Sequence, residues 1–411
     1  MDFEDTHEEA AFRMRVRQFL DAHAERRASG APQGYRTGQE EPGALPRAKA
    51  WQALKARHGF AALSWPLEWG GAGASPIEQV IYAQEESNYQ VPRGFFEIGL
   101  GMCIPTLCTW GSAAQRERFT GPAIRGEEIW CQLFSEPAAG SDLAGLKTRA
   151  RADGDHWVIN GQKIWTSGAH YADWGIIVTR TDPTLPKHEG LTFFFLDMKS
   201  PGIEVRPIKQ ISGASHFNEV YFTDVRVPDQ QRLGKVGDGW RVSLTTLMNE
   251  RLAVGEAPGP DFTEIFALVR ATTLDEGPAL DNAAIRDKLA DWYVRAQGLK
   301  YTKFRTMTAL SRGATPGPEA SIGKLVSASK LQEIAAFGMD LLGMRGLLME
   351  PDEVPMKAFF QQALLYSPAL RIAGGTDEIL RNIIAERVLG LPADPRPDKG
   401  VPFNQIPTGK R

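Results

Sequence analysis

Four stretches of the sequence combine residue types at spacings that could do chemistry. The first, FSEPAAGSDLAGLKTRA (134–150), runs from apolar residues into a Gly/Ser turn whose backbone N–H groups suit an anion. A second, NGQKIWTSG (160–168), sets Trp165 beside two hydroxyls, a pattern that by itself also describes a half-buried strand. A third, RIAGGTDEILRN (371–382), places two glycines before Thr376-Asp377-Glu378, a helix start with a Thr cap and two acids at its positive end. The fourth is MNERL (248–252). At about 100° per residue, Trp240, Leu244, Leu247 and Val254 define an apolar helix face with Arg251 near its centre and Glu250 on its shoulder. Neither charge can be buried there without a partner of its own, and adjacent helix residues do not face each other.

Other chemistries lack their residues. The seven His show no His-x-x-x-His or His-x-His spacing, so no metal site is expected. Cys103, Cys108 and Cys131 form no Cys-x-x-Cys pair and read as reduced thiols. Gly317 to Lys324 departs from a phosphate loop in spacing and in having Leu325 where a hydroxyl is required; it reads as a helix started by proline. Neither a dinucleotide fingerprint nor a Gly-x-Ser-x-Gly elbow occurs. The balance of 47 Lys+Arg against 50 Asp+Glu in 411 residues excludes a global basic field for nucleic acid, and 42% hydrophobic content excludes disorder. With an acidic start, MDFEDTHEEA, and no apolar run of spanning length, the expectation is a cytoplasmic protein without a membrane span.

The elements that must position these residues follow from periodicity. Residues 1–128 read as an all-helical domain, beginning with an amphipathic helix that buries Phe12, Val16, Phe19 and Leu20 and including a capping box at Ser75 and Glu78. Residues 129–236 hold five short runs rich in β-branched and aromatic residues, with Asp153-Gly154 and Asn160-Gly161 expected as hairpin turns. Residues 237–392 return to long helical periods, which implies a bundle, and 393–411 form a Pro-rich tail. The class is α+β, with strands confined to one central block.

In this order the three Gly/Ser-containing stretches resemble those of the acyl-CoA dehydrogenase family, flavoenzymes built as an N-terminal helical domain, a middle antiparallel β-domain and a C-terminal four-helix bundle. The resemblance implies FAD as cofactor and an acyl-CoA as substrate. It places Leu133, Phe134 and Ser135 along the isoalloxazine by apolar contact and backbone hydrogen bonds, and Ser141 near the pyrophosphate or the substrate. Trp165 would stack beside the flavin, Ser167 would reach its N5 side, and Thr376 and Glu378 would line the cofactor.

Many relatives carry their catalytic glutamate immediately before Gly-Thr, a position that here is Gly374. The branch that includes isovaleryl-CoA and long-chain enzymes places it in a Glu-Arg-Leu on the first bundle helix, which makes Glu250 the expected base, with Arg251 and Gly374 on the substrate. The implied reaction is α,β-dehydrogenation to a trans-2-enoyl-CoA in fatty acid or steroid side-chain degradation, with electrons passing to electron-transfer flavoprotein. Alternatives on the same scaffold are a subunit that completes a partner's flavin site and a flavin monooxygenase. Segments that hold the ADP half of FAD in relatives are altered at 257–273 and at Asp340 to Met344, as in heteromeric steroid side-chain enzymes. The assembly expected is a homo-oligomer, dimer or tetramer, or a heterotetramer with a related chain.

Overall fold

The computed structural model describes residues 5–27, 41–253, 259–311 and 317–407. Helix α1 (His7–His23) starts at a capping box between Thr6 and Glu9 and buries Phe12, Val16, Phe19 and Leu20, as its period predicts. Strand β1 (Glu25–Arg26) and helix α2 (Ala44–Arg57) follow. Helix α3 (Pro76–Glu86) opens at the Ser75/Glu78 capping box, and β2 (Tyr89–Gln90) pairs antiparallel with β1. Helices α4 (Ile104–Trp110) and α5 (Ala113–Ile124) complete this part of the chain.

Eight strands then form one sheet: β3 (Trp130–Leu133), β4 (Arg149–Asp153), β5 (His156–Ser167), β6 (Trp174–Arg180), β7 (Leu191–Asp197), β8 (Ile203–Ile208), β9 (Phe217–Pro228) and β10 (Arg232–Leu233). Their order is β10-β7-β6-β4-β5-β9-β8, with β3 beside β6. The expected antiparallel sheet holds with one correction: β3 and β4 run parallel to β6, because the intervening hairpin of β4 and β5 carries the chain back to the same end. Asp153-Gly154 is the tight turn of that hairpin, with Gly154 at φ 64°. Asn160-Gly161 is not a turn. It lies opposite a β-bulge in β9, where Thr223 and Asp224 (φ 50°) face Asn160 alone, closed by reciprocal hydrogen bonds of 3.0 Å between Asn160 and Asp224. A Cβ on Gly161 would lie 2.4 Å from Thr148 Oγ1, so β5 requires glycine beside the bulge.

Helix α6 (Gly239–Ala253) follows the sheet, and then come α7 (Phe262–Ala271), α8 (Ala283–Ser311), α9 (Ala320–Leu342), α10 (Phe359–Leu370) and α11 (Asp377–Ile383). The chain divides into two compact units that interleave along the sequence. One comprises Met1–Thr37, Ser75–Val91 and Val254–Ala393; the other comprises Gly38–Ala74, Pro92–Ala253 and Asp394–Arg411. In the first, α7 to α10 close over Ile265, Leu268, Trp292, Ile334 and Phe360. The pairing of α1 with α3 is reinforced there by Glu85, which accepts from Arg13 at 2.9 Å and from Arg17 at 2.7 Å.

In the second unit both faces of the sheet are covered. Phe193 and Phe195 of β7 pack with Trp130 and the helix residues Leu107, Phe119 and Val242, while Phe194 and Leu196 pack with Leu133, Ile177 and Val220 on the opposite face. Burial on both sides explains why the middle of β7, Phe193 to Leu196, is a continuous apolar run rather than an alternating one. The tail returns to this unit: Phe403 N donates to Leu185 O at 2.9 Å, and its ring lies 3.7 Å from the Arg180 guanidinium. Helix α6 belongs here too: of the expected apolar face Trp240 and Leu247 pack against the core, Leu244 does not, and Val254 lies outside the described residues. Val242, Ser243 and Thr246 are enclosed, whereas Leu244 is 43% exposed. The two hydroxyls are tolerated because Ser243 donates to Gly239 O at 2.7 Å and Thr246 meets Thr106 Oγ1 at 2.9 Å.

Candidate active site

The Gly/Ser turn after β3 is anchored by a buried carboxylate. Glu136 accepts from Lys147 N at 2.6 Å, from Thr148 N at 2.9 Å and from the ammonium of Lys163 at 2.8 Å. Lys163 is 0% exposed and donates also to Phe134 O at 3.0 Å. Burial by itself would raise the Glu136 carboxyl, but the charge and hydrogen bond of Lys163, with the two backbone donors, hold it below the usual carboxylate range. Burial pulls Lys163 below the usual ammonium range against the opposing pull of Glu136. Sequence reasoning missed both residues. The signal available was Glu136 next to the turn and Lys163 two residues before Trp165, but nothing local says that positions 27 apart meet.

This frame holds an unusual backbone. Ser135 O accepts from Ile164 N at 2.8 Å, which ties the turn to β5 one residue before Trp165. Trp165 has φ 60°, a left-handed conformation rare for an aromatic residue, at the register shift between Lys163 and Thr166. The kink turns its indole outward: Trp165 is 55% exposed, touching the edge of Phe217 at 6.1 Å between ring centroids. Ser167 is half-buried two residues on, and Ser141 is exposed at the tip of the turn next to Asp142, which pairs with Lys187 at 2.9 Å.

The Ser135 N–H has no acceptor among the described residues. A bare indole face, an unpartnered peptide N–H and a nearby hydroxyl fit a flat heteroaromatic group with polar edges, as a flavin has. One expectation fails: Leu133 is 0% exposed and lies wholly in the sheet core, so its side chain has no surface to offer a cofactor, and the Phe134 ring is also interior, against Phe193. What remains for a cofactor here is the backbone of Phe134 and Ser135. Glu250 is half-buried on α6, in the same compact unit; Arg251 follows it in the helix, but its side chain lies outside the described residues.

In the first unit, the chain between α10 and α11 is a clasped loop. Arg371 pairs with buried Asp377 at 2.5 Å and donates to Gln332 at 2.9 Å, while Lys324 from α9 donates to the carbonyls of Ala373 and Gly375. Gly374 and Gly375 have φ 65° and 95°, so the loop needs residues without Cβ strain. Thr376 caps α11 by accepting from Ile379 N at 3.3 Å. Glu378 is exposed; backbone donors of the helix start and the Thr376 hydroxyl hold it below the usual carboxylate range. Among the described residues no His, Cys, Asp and Glu group could hold a metal ion, and no helix is long and apolar enough to cross a membrane.

Three family models match consecutive stretches of the chain. Those for the N-terminal, middle and C-terminal domains of acyl-CoA dehydrogenase match residues 6–127, 131–225 and 237–389. The chain is 42% identical to acyl-CoA dehydrogenase FadE34 of Mycobacterium tuberculosis over 86% of its own length, though it spans only 47% of that longer relative. It is 36% identical to acyl-CoA dehydrogenase IpdE1 of Mycolicibacterium smegmatis, covering 93% of this chain and 98% of that one. A solved structure named "Tcur3481-Tcur3483 steroid ACAD" superposes with a TM-score of 0.80 at 26% identity, covering 96% of this chain and 100% of that chain. The extent of these matches, three domain models in sequence order and a relative aligned almost end to end, means that the chain belongs to the acyl-CoA dehydrogenase family of FAD-dependent oxidoreductases.

Proposed function

We propose that this chain oxidises an acyl-CoA thioester between its α and β carbons, giving the trans-2-enoyl-CoA. Bound FAD supplies the acceptor for the β-hydride. Glu250 removes the α-proton, and the observation that carries this assignment is a half-buried carboxylate within MNERL on α6, in the compact unit that also presents Trp165. Gly374 replaces the glutamate of other relatives but retains a peptide N–H, in a loop whose neighbouring carbonyls are tied to Lys324. That N–H donates to the thioester carbonyl and stabilises the charge that builds there as the proton leaves. Ser141 and Arg251 hold the substrate, the backbone of Phe134 and Ser135 with Trp165 and Ser167 holds the flavin ring, and Thr376 and Glu378 complete the cofactor contacts.

The small residues Ala373, Gly374 and Gly375 suit a bulky acyl group, and a steroid-derived or branched CoA ester agrees with the name "steroid ACAD" borne by the structural relative. Electron-transfer flavoprotein is the acceptor we assign. Glu250→Gln tests the reading: the variant retains flavin, and anaerobic bleaching by the best CoA ester falls at least about a hundredfold. Bleaching at the wild-type rate removes Glu250 from the mechanism.

A second reading has one observation in its favour: that structural relative is named as a pair of chains, Tcur3481 with Tcur3483. In this reading the chain assembles with a related subunit and shares the flavin site, in keeping with the altered segment Asp340 to Met344. A purified chain that is colourless alone and yellow only with its partner supports it; a yellow, active homo-oligomer rejects it.

A further inference from the structure

Lys163 donates to two acceptors, and the second has consequences for chemistry. Its bond to Glu136 neutralises charge, but its bond to Phe134 O at 3.0 Å acts on a peptide unit. The Phe134 carbonyl and the Ser135 N–H belong to one trans peptide, so they point in opposite directions. With the carbonyl held against an enclosed ammonium, the N–H is directed away from it, where no described group accepts it. Ser135 O, bound by Ile164 N, fixes this peptide alongside the exposed indole of Trp165. A cation on a carbonyl oxygen draws electron density from the whole amide and strengthens the N–H as a donor, more so where water is excluded.

We propose that Lys163 is a positioning residue that makes the Ser135 N–H a polarised donor to the electron-rich pyrimidine edge of the bound flavin, and thereby raises the flavin reduction potential. The inference rests on the flavin reading above. Two-electron reduction adds negative charge to that edge, so a strengthened donor favours the reduced cofactor over the oxidised one. Glu136 keeps the ammonium in place without touching the Phe134 carbonyl itself.

The test is the flavin midpoint potential of the full-length holoprotein, measured by reductive titration with reference dyes. The variants are K163M/E136Q, which removes both charges together, and K163R, which keeps a cation on the carbonyl. The double variant should favour oxidised flavin by about tenfold relative to wild type, a fall of about 30 mV for a two-electron couple. K163R should stay at the wild-type potential. If the double variant loses flavin on purification, the ratio of its dissociation constants for oxidised and reduced FAD, titrated with cofactor in excess, reads the same quantity. An unchanged or raised potential in the double variant overturns the proposal, as does a fall in K163R equal to that of the double variant. Wild-type protein that binds no flavin would instead refute the reading on which the proposal rests.

Discussion

Removing one partner of the Lys163–Glu136 pair should cost far more than removing both, and the two single losses should respond to pH in opposite directions. In K163M the Glu136 carboxylate remains buried, with only the N–H groups of Lys147 and Thr148 as donors. Breaking a buried pair in this way costs about 3–5 kcal/mol, most of it the desolvation of the remaining charge. In wild type the folded Glu136 carboxyl lies below its unfolded value, so its contribution is present above the unfolded pKa and is lost as pH falls through the folded one. Without Lys163, burial dominates and the Glu136 pKa rises above the unfolded value. The K163M deficit then shrinks as pH falls from 8 to 5, because protonation neutralises the stranded group. E136Q strands the ammonium of Lys163, which burial already pulls down, so its deficit shrinks as pH rises from 6 to 9. K163M/E136Q strands neither and should lie within about 1.5 kcal/mol of wild type, so that two single losses of about 3 kcal/mol or more imply a coupling of at least about 4.5 kcal/mol. Urea unfolding followed by tryptophan fluorescence, repeated across pH, measures every term. Losses that simply add, or deficits that stay flat between pH 5 and 9, would refute the reasoning.

Two further outcomes follow from local geometry. At Trp165, φ 60° reverses the usual ranking of Ala over Gly: relief of about 1–2 kcal/mol of left-handed strain exceeds the extra chain entropy of glycine, so W165G should unfold at higher urea than W165A. An equal or lower midpoint for W165G would mean the backbone there is unstrained. All three cysteines are enclosed, and burial pushes the thiols of Cys108 and Cys131 up to about 12. Iodoacetamide at pH 8 should label them at least about a thousandfold more slowly than a free thiol until urea is added, and rapid labelling by mass spectrometry of native protein would contradict that burial.

Local sequence determined what local physics controls. The capping box at Ser75, the helical spacing of Phe12 to Leu20, and the apolar runs of β6 and β7 follow from short-range patterns, and they were enough to order helical, β and helical segments. The residue types at the site were legible for the same reason, since Gly/Ser turns, Trp165 and the Thr376 helix start are contiguous motifs. Tertiary structure decided the rest. Asn160-Gly161 became strand rather than turn because the bulge at Asp224 on β9 completes its hydrogen bonds, and Leu133 was withdrawn from the site because both faces of the sheet are covered. Trp240 and Leu247 of the apolar stripe of α6 do face the core, but Thr106 and the β7 core extended the buried side to Val242, Ser243 and Thr246. Lys163 meets Glu136 across 27 residues, and Lys324 reaches the glycine loop across 49. A charge in sequence carries no sign of its future dielectric; only strand register and helix packing bring its partner within reach and exclude the water that would otherwise make the pairing worth little.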